Sequence, residues 1–168
     1  MSNSISIIGS TDGPTSVFLA GNPGMNWLNL FGLIFVILLL TPNIIYALKA
    51  KNQQNKCTNK FMNVVEQISR YGCMILMVFH FGIAEFGFPS VGAFLAYLFG
   101  SVLLLISYWV VWILYFHKQT YGKQIALAVI PTCQFILSGI TMRYGLLITF
   151  GIVFGIAHIY VTSKNRVA

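Results

Sequence analysis

The stretch Val91 to Phe116, VGAFLAYLFGSVLLLISYWVVWILYF, decides the fold. It holds no charged side chain over a length that exceeds the roughly 20 residues a helix needs to cross a bilayer core. Four further apolar runs approach that length: Trp27 to Leu48 and Ser69 to Phe88 before it, Gln124 to Met142 and Tyr144 to Thr162 after it. Composition agrees. The chain is 57% hydrophobic and 8% charged with a mean hydropathy of +0.80, whereas soluble domains carry about 25% charged residues. The expected fold is all-α and integral to the membrane: a bundle of five transmembrane helices over 27–168, preceded by an outer or re-entrant N-terminal segment over 1–26.

The net charge of +7 is distributed in a way that orients such a bundle. Lys49, Lys51, Lys56 and Lys60 lie between the first two runs with Arg70 at the very start of the second, Lys118 and Lys123 between the third and fourth, and Lys164 and Arg166 after the fifth. Arg143 alone falls on the other side, in a short turn. Loops rich in Lys and Arg stay in the cytoplasm, so the N-terminus is expected outside and the C-terminus inside. The basic residues form no patch interleaved with aromatics on a soluble fold, which argues against nucleic acid as a partner. The lipid bilayer is the expected partner, with another membrane protein or a second copy of the chain as further candidates. No Lys or Arg precedes the first apolar stretch, so a cleaved leader is not expected. Cys57, Cys73 and Cys133 are odd in number and widely spaced, which suggests reduced thiols and neither a disulfide framework nor a transition-metal site.

Polar residues inside apolar runs are the next candidates, because ionisable groups in a bilayer are costly and face the bundle interior by default. They are His80, Glu85 and His158, with Asn43 and Gln134 as uncharged companions. Depth along the runs matches Glu85 with Arg143, His80 with Gln134, and His158 with Asn43, either as bonds that only hold the bundle together or as a polar path through it. Pro42 cannot donate to the carbonyl of Leu38, nor Pro131 to that of Leu127, so a kink is expected at the first, and a neighbouring hydroxyl is expected to compensate at the second. Gly92, Ala96 and Gly100, and likewise Gly151 and Gly155, recur every four residues and read as helix-packing seams. Tyr108, Trp109, Trp112, Tyr115 and Phe116 stand where an interfacial aromatic belt belongs. Phe61, Val64, Val65 and Ile68 form the apolar stripe of an amphipathic, interfacial helix leading into the second run, with Glu66 spaced to meet Arg70. No nucleophile stands at a suitable spacing from a base, and no phosphate loop or HExxH pattern occurs, so neither catalysis nor an organic cofactor is expected.

One stretch looks chosen for chemistry instead of lipid solubility: Ile5 to Gly21, ISIIGSTDGPTSVFLAG. Gly9, Gly13 and Pro14 break a helix there and turn carbonyls outward, while Ser10, Thr11, Asp12 and Thr15 add hydroxyls and a carboxylate. These are hard ligands, suited to Na⁺, Mg²⁺ or Ca²⁺. An Asp-Gly-Pro turn in an outer loop and a broken re-entrant segment are both compatible with the spacing. Over these residues the chain resembles the β subunit of the sodium-ion-translocating decarboxylases, through IIG, two small residues and DGPT followed by an apolar run. The resemblance implies that Asp12 takes part in Na⁺ passage, that Na⁺ is the bound ion, and that the Gly-rich turn interrupts a membrane helix in a bacterial cell membrane. A small cation-linked transport protein, or an accessory subunit of one, is the expected function; a non-catalytic membrane scaffold or assembly factor is the alternative.

The charge asymmetry is testable by itself. In a cysteine-labelling scan of intact cells, positions Asn55 and Asn165 should label from the cytoplasm and Asn3 from outside. Labelling of position 3 only from the cytoplasm would refute the orientation.

Overall fold

In the computed structural model, which describes residues 28–49, 57–79 and 88–166, five α-helices account for most of the described residues. In chain order they are α1 Leu30–Lys49, α2 Lys60–Val78, α3 Val91–His117, α4 Tyr121–Thr141 and α5 Gly145–Lys164. Four of them, α1, α3, α4 and α5, are long and apolar enough to cross a membrane. Their bounds lie within a few residues of the expected runs.

Helix starts are chemically marked where a side chain is available to cap them. Asn29 Oδ1 accepts from the Gly32 amide at 3.0 Å, Asn59 Oδ1 from Met62 at 3.2 Å, and Ser90 Oγ from Ala93 at 3.1 Å. The α4–α5 turn is closed by the Tyr144 amide donating to Gly139 at 2.7 Å and the Arg143 amide donating to Ile140 at 3.2 Å. That pattern requires a left-handed residue after the helix, and Arg143 takes it with φ 54°, at a steric cost glycine would avoid.

The helices close into a ring. α2 packs along α5, α5 along α4 and α4 along α3, while α1 bridges α2 and α3. Tyr97, Phe135, Leu147, Cys73, Met77 and Phe154 fill the centre, with Phe35 edge-on to Tyr97 at 5.7 Å. A second cluster near the α3 C-terminus joins Leu39, Tyr108, Trp112, Tyr115 and Leu127. Here the expected aromatic belt is corrected: Trp109 and Phe116 face outward, but Tyr108, Trp112 and Tyr115 are buried in that cluster because α1 and α4 flank this side of α3.

The second expected span, 69–88, is also corrected. A single helix begins at Lys60, absorbs the amphipathic stretch and ends at Val78. Phe79 is extended and forms an antiparallel bridge with Leu28, and the Asn29 amide donates to the Val78 carbonyl at 2.8 Å. That pairing ties the end of α2 to the start of α1 and takes Phe79 out of helical geometry. Phe61, Val64 and Ile68 point outward, joined by Tyr71 and Ile75, and Phe61 is 73% exposed. Glu66, Ser69 and Cys73 point into the bundle. The first half of α2 therefore turns its apolar stripe outward and Glu66 and Ser69 inward, while its last turns bury Leu76, Met77 and Val78.

α1 and α2 meet most closely at Gly32, where a Cβ would fall on the backbone carbonyl oxygen of Met77. A backbone atom cannot swing aside as a side chain can. Gly32→Ala should cost about 1–3 kcal/mol in thermal unfolding of the purified protein. Gly122→Ala, where nothing lies within 4 Å, should cost nothing. Equal tolerance at the two positions would contradict the α1–α2 contact.

Candidate functional site

Glu66 is the most consequential polar residue among those described. It sits on the inward face of α2 with its side chain 6% exposed, between Arg70 one turn on and His158 of α5. Arg70 Nη2 and His158 Nδ1 both approach the same carboxylate oxygen, Oε1, the imidazole at 2.9 Å. The imidazole is close but poorly aligned for a hydrogen bond, so its contact is electrostatic first. Phe154, one turn before His158, stacks on the imidazole with ring centres 4.8 Å apart and planes 17° from parallel, and Phe135 of α4 lies edge-on to Phe154. The ring stack holds the imidazole against α2. Ser69, one turn from Glu66, uses its hydroxyl on the Val65 and Glu66 carbonyls.

Chemically, the group is one carboxylate shared by a permanent cation and a residue that can take up a proton. A guanidinium stays charged, whereas an imidazole gains charge only when protonated, so the cluster can hold no net charge or one positive charge. Such a group could bind or relay a proton at the α2–α5 seam. The i, i+4 spacing of Glu66 and Arg70 is legible in the sequence, but their burial beside His158 is not. The signal that could have found it is scarcity: the whole chain has three acidic residues, and Glu66 stands opposite the apolar stripe of its helix.

The expected pairing of His158 with Asn43 is corrected. Asn43 belongs to α1, which packs chiefly on α2 and α3, and it donates to Tyr108 Oη of α3 at 2.8 Å and to the Leu39 carbonyl at 3.0 Å. Thr41 donates to Ile37 at 2.9 Å, and the Leu38 carbonyl orphaned by Pro42 accepts from the indole Nε1 of Trp109 at 3.1 Å. Three successive carbonyls around the proline are thus served by side chains, one of them reaching across from α3. At Pro131 the expected compensation differs: the Thr132 hydroxyl donates to Ala128 at 3.0 Å and not to Leu127.

Gln134, near the middle of α4, donates to Ser101 Oγ of α3 at 2.8 Å, while its own amide oxygen is buried without a hydrogen-bond partner. Ser138, one turn on, donates to the Gln134 carbonyl at 2.8 Å. His80 and Glu85, the residues matched in depth to Gln134 and Arg143, lie outside the described residues, as do Ser10, Thr11, Asp12 and Thr15.

Of the small residues, Gly151 and Gly155 face α4, where a Cβ would come within 3.1 Å of Ile136 and 2.5 Å of Thr132. Gly100 faces Leu137 of α4. Gly92 and Ala96 are exposed on the outside of α3, so of the seam expected along 92, 96 and 100 only Gly100 meets a neighbouring helix. Gly72, unremarked in the sequence, approaches Phe150 of α5 beside the Glu66 cluster. Among the described residues no three His, Cys, Asp or Glu side chains converge on a metal position.

Comparison of the chain with known protein families, with curated proteins and with solved structures returns no match.

Proposed function

We propose that this chain is a multi-pass protein of the bacterial cell membrane, with its N-terminus outside and its C-terminus in the cytoplasm, that serves cation-linked transport as a small transporter or as an accessory subunit of one. The observation that carries the reading is Glu66: an ionisable cluster enclosed by helices whose outward side chains are apolar. In water that distribution would be unfavourable twice over, exposing Phe61, Val64, Ile68 and Ile75 while desolvating a carboxylate. In a bilayer the apolar stripe is matched to lipid, and the buried ionisable group becomes the default functional site. α2 belongs to the embedded bundle on this reading. Its 19 residues reach about 28 Å, close to the roughly 30 Å of a hydrocarbon core.

The GSTDGPTS knot at residues 9–16 names the ion. It supplies hard oxygen ligands and resembles the motif of the sodium-translocating decarboxylase β subunit, which favours Na⁺ and gives Asp12 the charged role with Ser10, Thr11 and Thr15 as neutral ligands. The competing reading, a non-catalytic scaffold or assembly factor, is favoured by a different observation. Asn43 with Tyr108 and Gln134 with Ser101 are interhelical pairs that suit a bundle whose polar groups only hold it together.

Thermal unfolding in Na⁺ and in K⁺ at equal ionic strength separates the two, because an ion bound only by the folded state raises its melting temperature. The transport reading predicts a higher melting temperature in Na⁺, an increment abolished by Asp12→Asn, which keeps the shape and loses the charge. Identical responses of parent and variant to both salts would leave Asp12 a turn residue and favour the scaffold.

A further inference from the structure

The end of the bundle opposite the Leu28–Phe79 bridge gathers the C-termini of α1, α3 and α5 and the N-termini of α2 and α4. Direct contacts establish the convergence. Lys49 of α1 lies over Phe116 of α3, Arg166 after α5 lies over Tyr121 of α4, and Gln124 of α4 donates to the Asn165 carbonyl at 2.9 Å. Lys49, Lys60, Lys118, Lys164 and Arg166 are all exposed there. Lys123 belongs to the same end but is engaged by the Leu114 and Lys118 carbonyls, both at 2.9 Å, where it caps α3. The one carboxylate among the described residues, Glu66, is turned inward and shared by Arg70 and His158, so no described acidic side chain offsets these five cations.

Three of the five cations lie over aromatic rings: Lys49 at 5.2 Å from the Phe116 centre, Lys164 at 5.6 Å from Tyr160 and Arg166 at 4.4 Å from Tyr121. An aromatic face attracts such a cation but cannot satisfy all of its N–H donors, which are left available to a further acceptor. The rings form a collar where the apolar body meets the charged end. In a membrane protein that is the depth of lipid phosphates.

We propose that this collar binds anionic phospholipid, with Lys49, Lys164 and Arg166 as the headgroup-binding residues. The proposal rests on the membrane reading above. Cations near an anionic leaflet gain enough from it that each should contribute about fivefold to the preference for anionic over zwitterionic lipid, and the three together about a hundredfold. Arg166 offers a planar fork to phosphate, whereas Lys49 and Lys164 act as point charges.

The test uses tryptophan quenching by brominated lipid in vesicles of phosphatidylcholine containing a minor fraction of phosphatidylglycerol. Trp112 packs on Phe116 of the collar with ring centres 5.3 Å apart and Trp109, about two turns before Phe116, is 38% exposed, so the full chain carrying Trp27→Phe leaves these two indoles of α3 as the reporters. Brominated phosphatidylglycerol should quench more strongly than brominated phosphatidylcholine, and salt should shrink the difference. The combined Lys49→Gln, Lys164→Gln and Arg166→Gln variant, with helicity unchanged, should lose it. Equal quenching by both lipids in the parent, or a preference that survives the three substitutions, overturns the proposal. So does stabilisation by inorganic phosphate in detergent equal to that by phosphatidylglycerol, which would reassign the collar to a free anion. Quenching by neither lipid would instead refute the membrane reading beneath it. The salt titration needs no variant and decides the matter if the triple substitution fails to fold.

Discussion

The contact between Glu66 of α2 and His158 of α5 sets which way α2 faces, and the facing of α2 sets the character of the whole bundle. A carboxylate placed on the outside of this helix would sit among Phe61, Val64 and Ile68, with no partner and no water if those residues meet lipid. Turned inward, it finds a guanidinium on its own helix and an imidazole on the next, while the apolar stripe is released to the exterior. The cost of desolvating the charges is offset only because both partners converge on one oxygen. Removal of a partner from a buried ionic group typically costs about 3–5 kcal/mol, more than the intact group contributes. Gly72 against Phe150 and Phe154 stacked on His158 bring the two helices close enough for that convergence.

The same accounting governs α1. A helix carrying Pro42 leaves a carbonyl without its donor, and in an apolar setting such a group costs several kcal/mol. Thr41, Asn43 and the indole of Trp109 supply donors to three consecutive carbonyls, so the segment before Pro42 doubles as an attachment of α1 to α3. At the other end, Asn29 caps α1 and its amide nitrogen approaches the Met142 sulfur at 3.4 Å, while its backbone amide holds Val78. α1 is thus held by polar bonds at both ends and by the Gly32 approach to Met77 near its start. In a bilayer, apolar burial alone would discriminate weakly, since lipid tails cover Leu and Ile as well as a neighbouring helix does.

Much of this was legible in the sequence, and the rest was hidden for identifiable reasons. Apolar run length located α1, α3, α4 and α5, because each has few charges and clear polar turns on both sides. It misplaced α2, because the helix is polar in its first half and hydropathy favours the more apolar stretch that follows Arg70. The stripe of Phe61, Val64 and Ile68 was plain, yet periodicity gives the angle between two faces and not which one the neighbours occupy. Depth matching put His158 and Asn43 at similar levels, but ring order sends α1 to α2 and α3 and gives His158 to α2. Tyr108, Trp112 and Tyr115 were read by their level alone, whereas their rotation about α3 buries them. Of the candidate site, Asn43, Gln134 and His158 stood out as polar residues within apolar runs, and Glu66 was seen only as a helix-surface partner of Arg70.

A double-mutant cycle on Glu66→Gln and His158→Gln, followed by unfolding of the purified protein, tests the central contact most directly. If Glu66 faces α5 as described, the two substitutions should be coupled by about 1–3 kcal/mol, since each removes a shared interaction that the other has already broken. Additivity to within about 0.3–0.5 kcal/mol would mean that the side chains do not interact, and that α2 presents another face to the bundle.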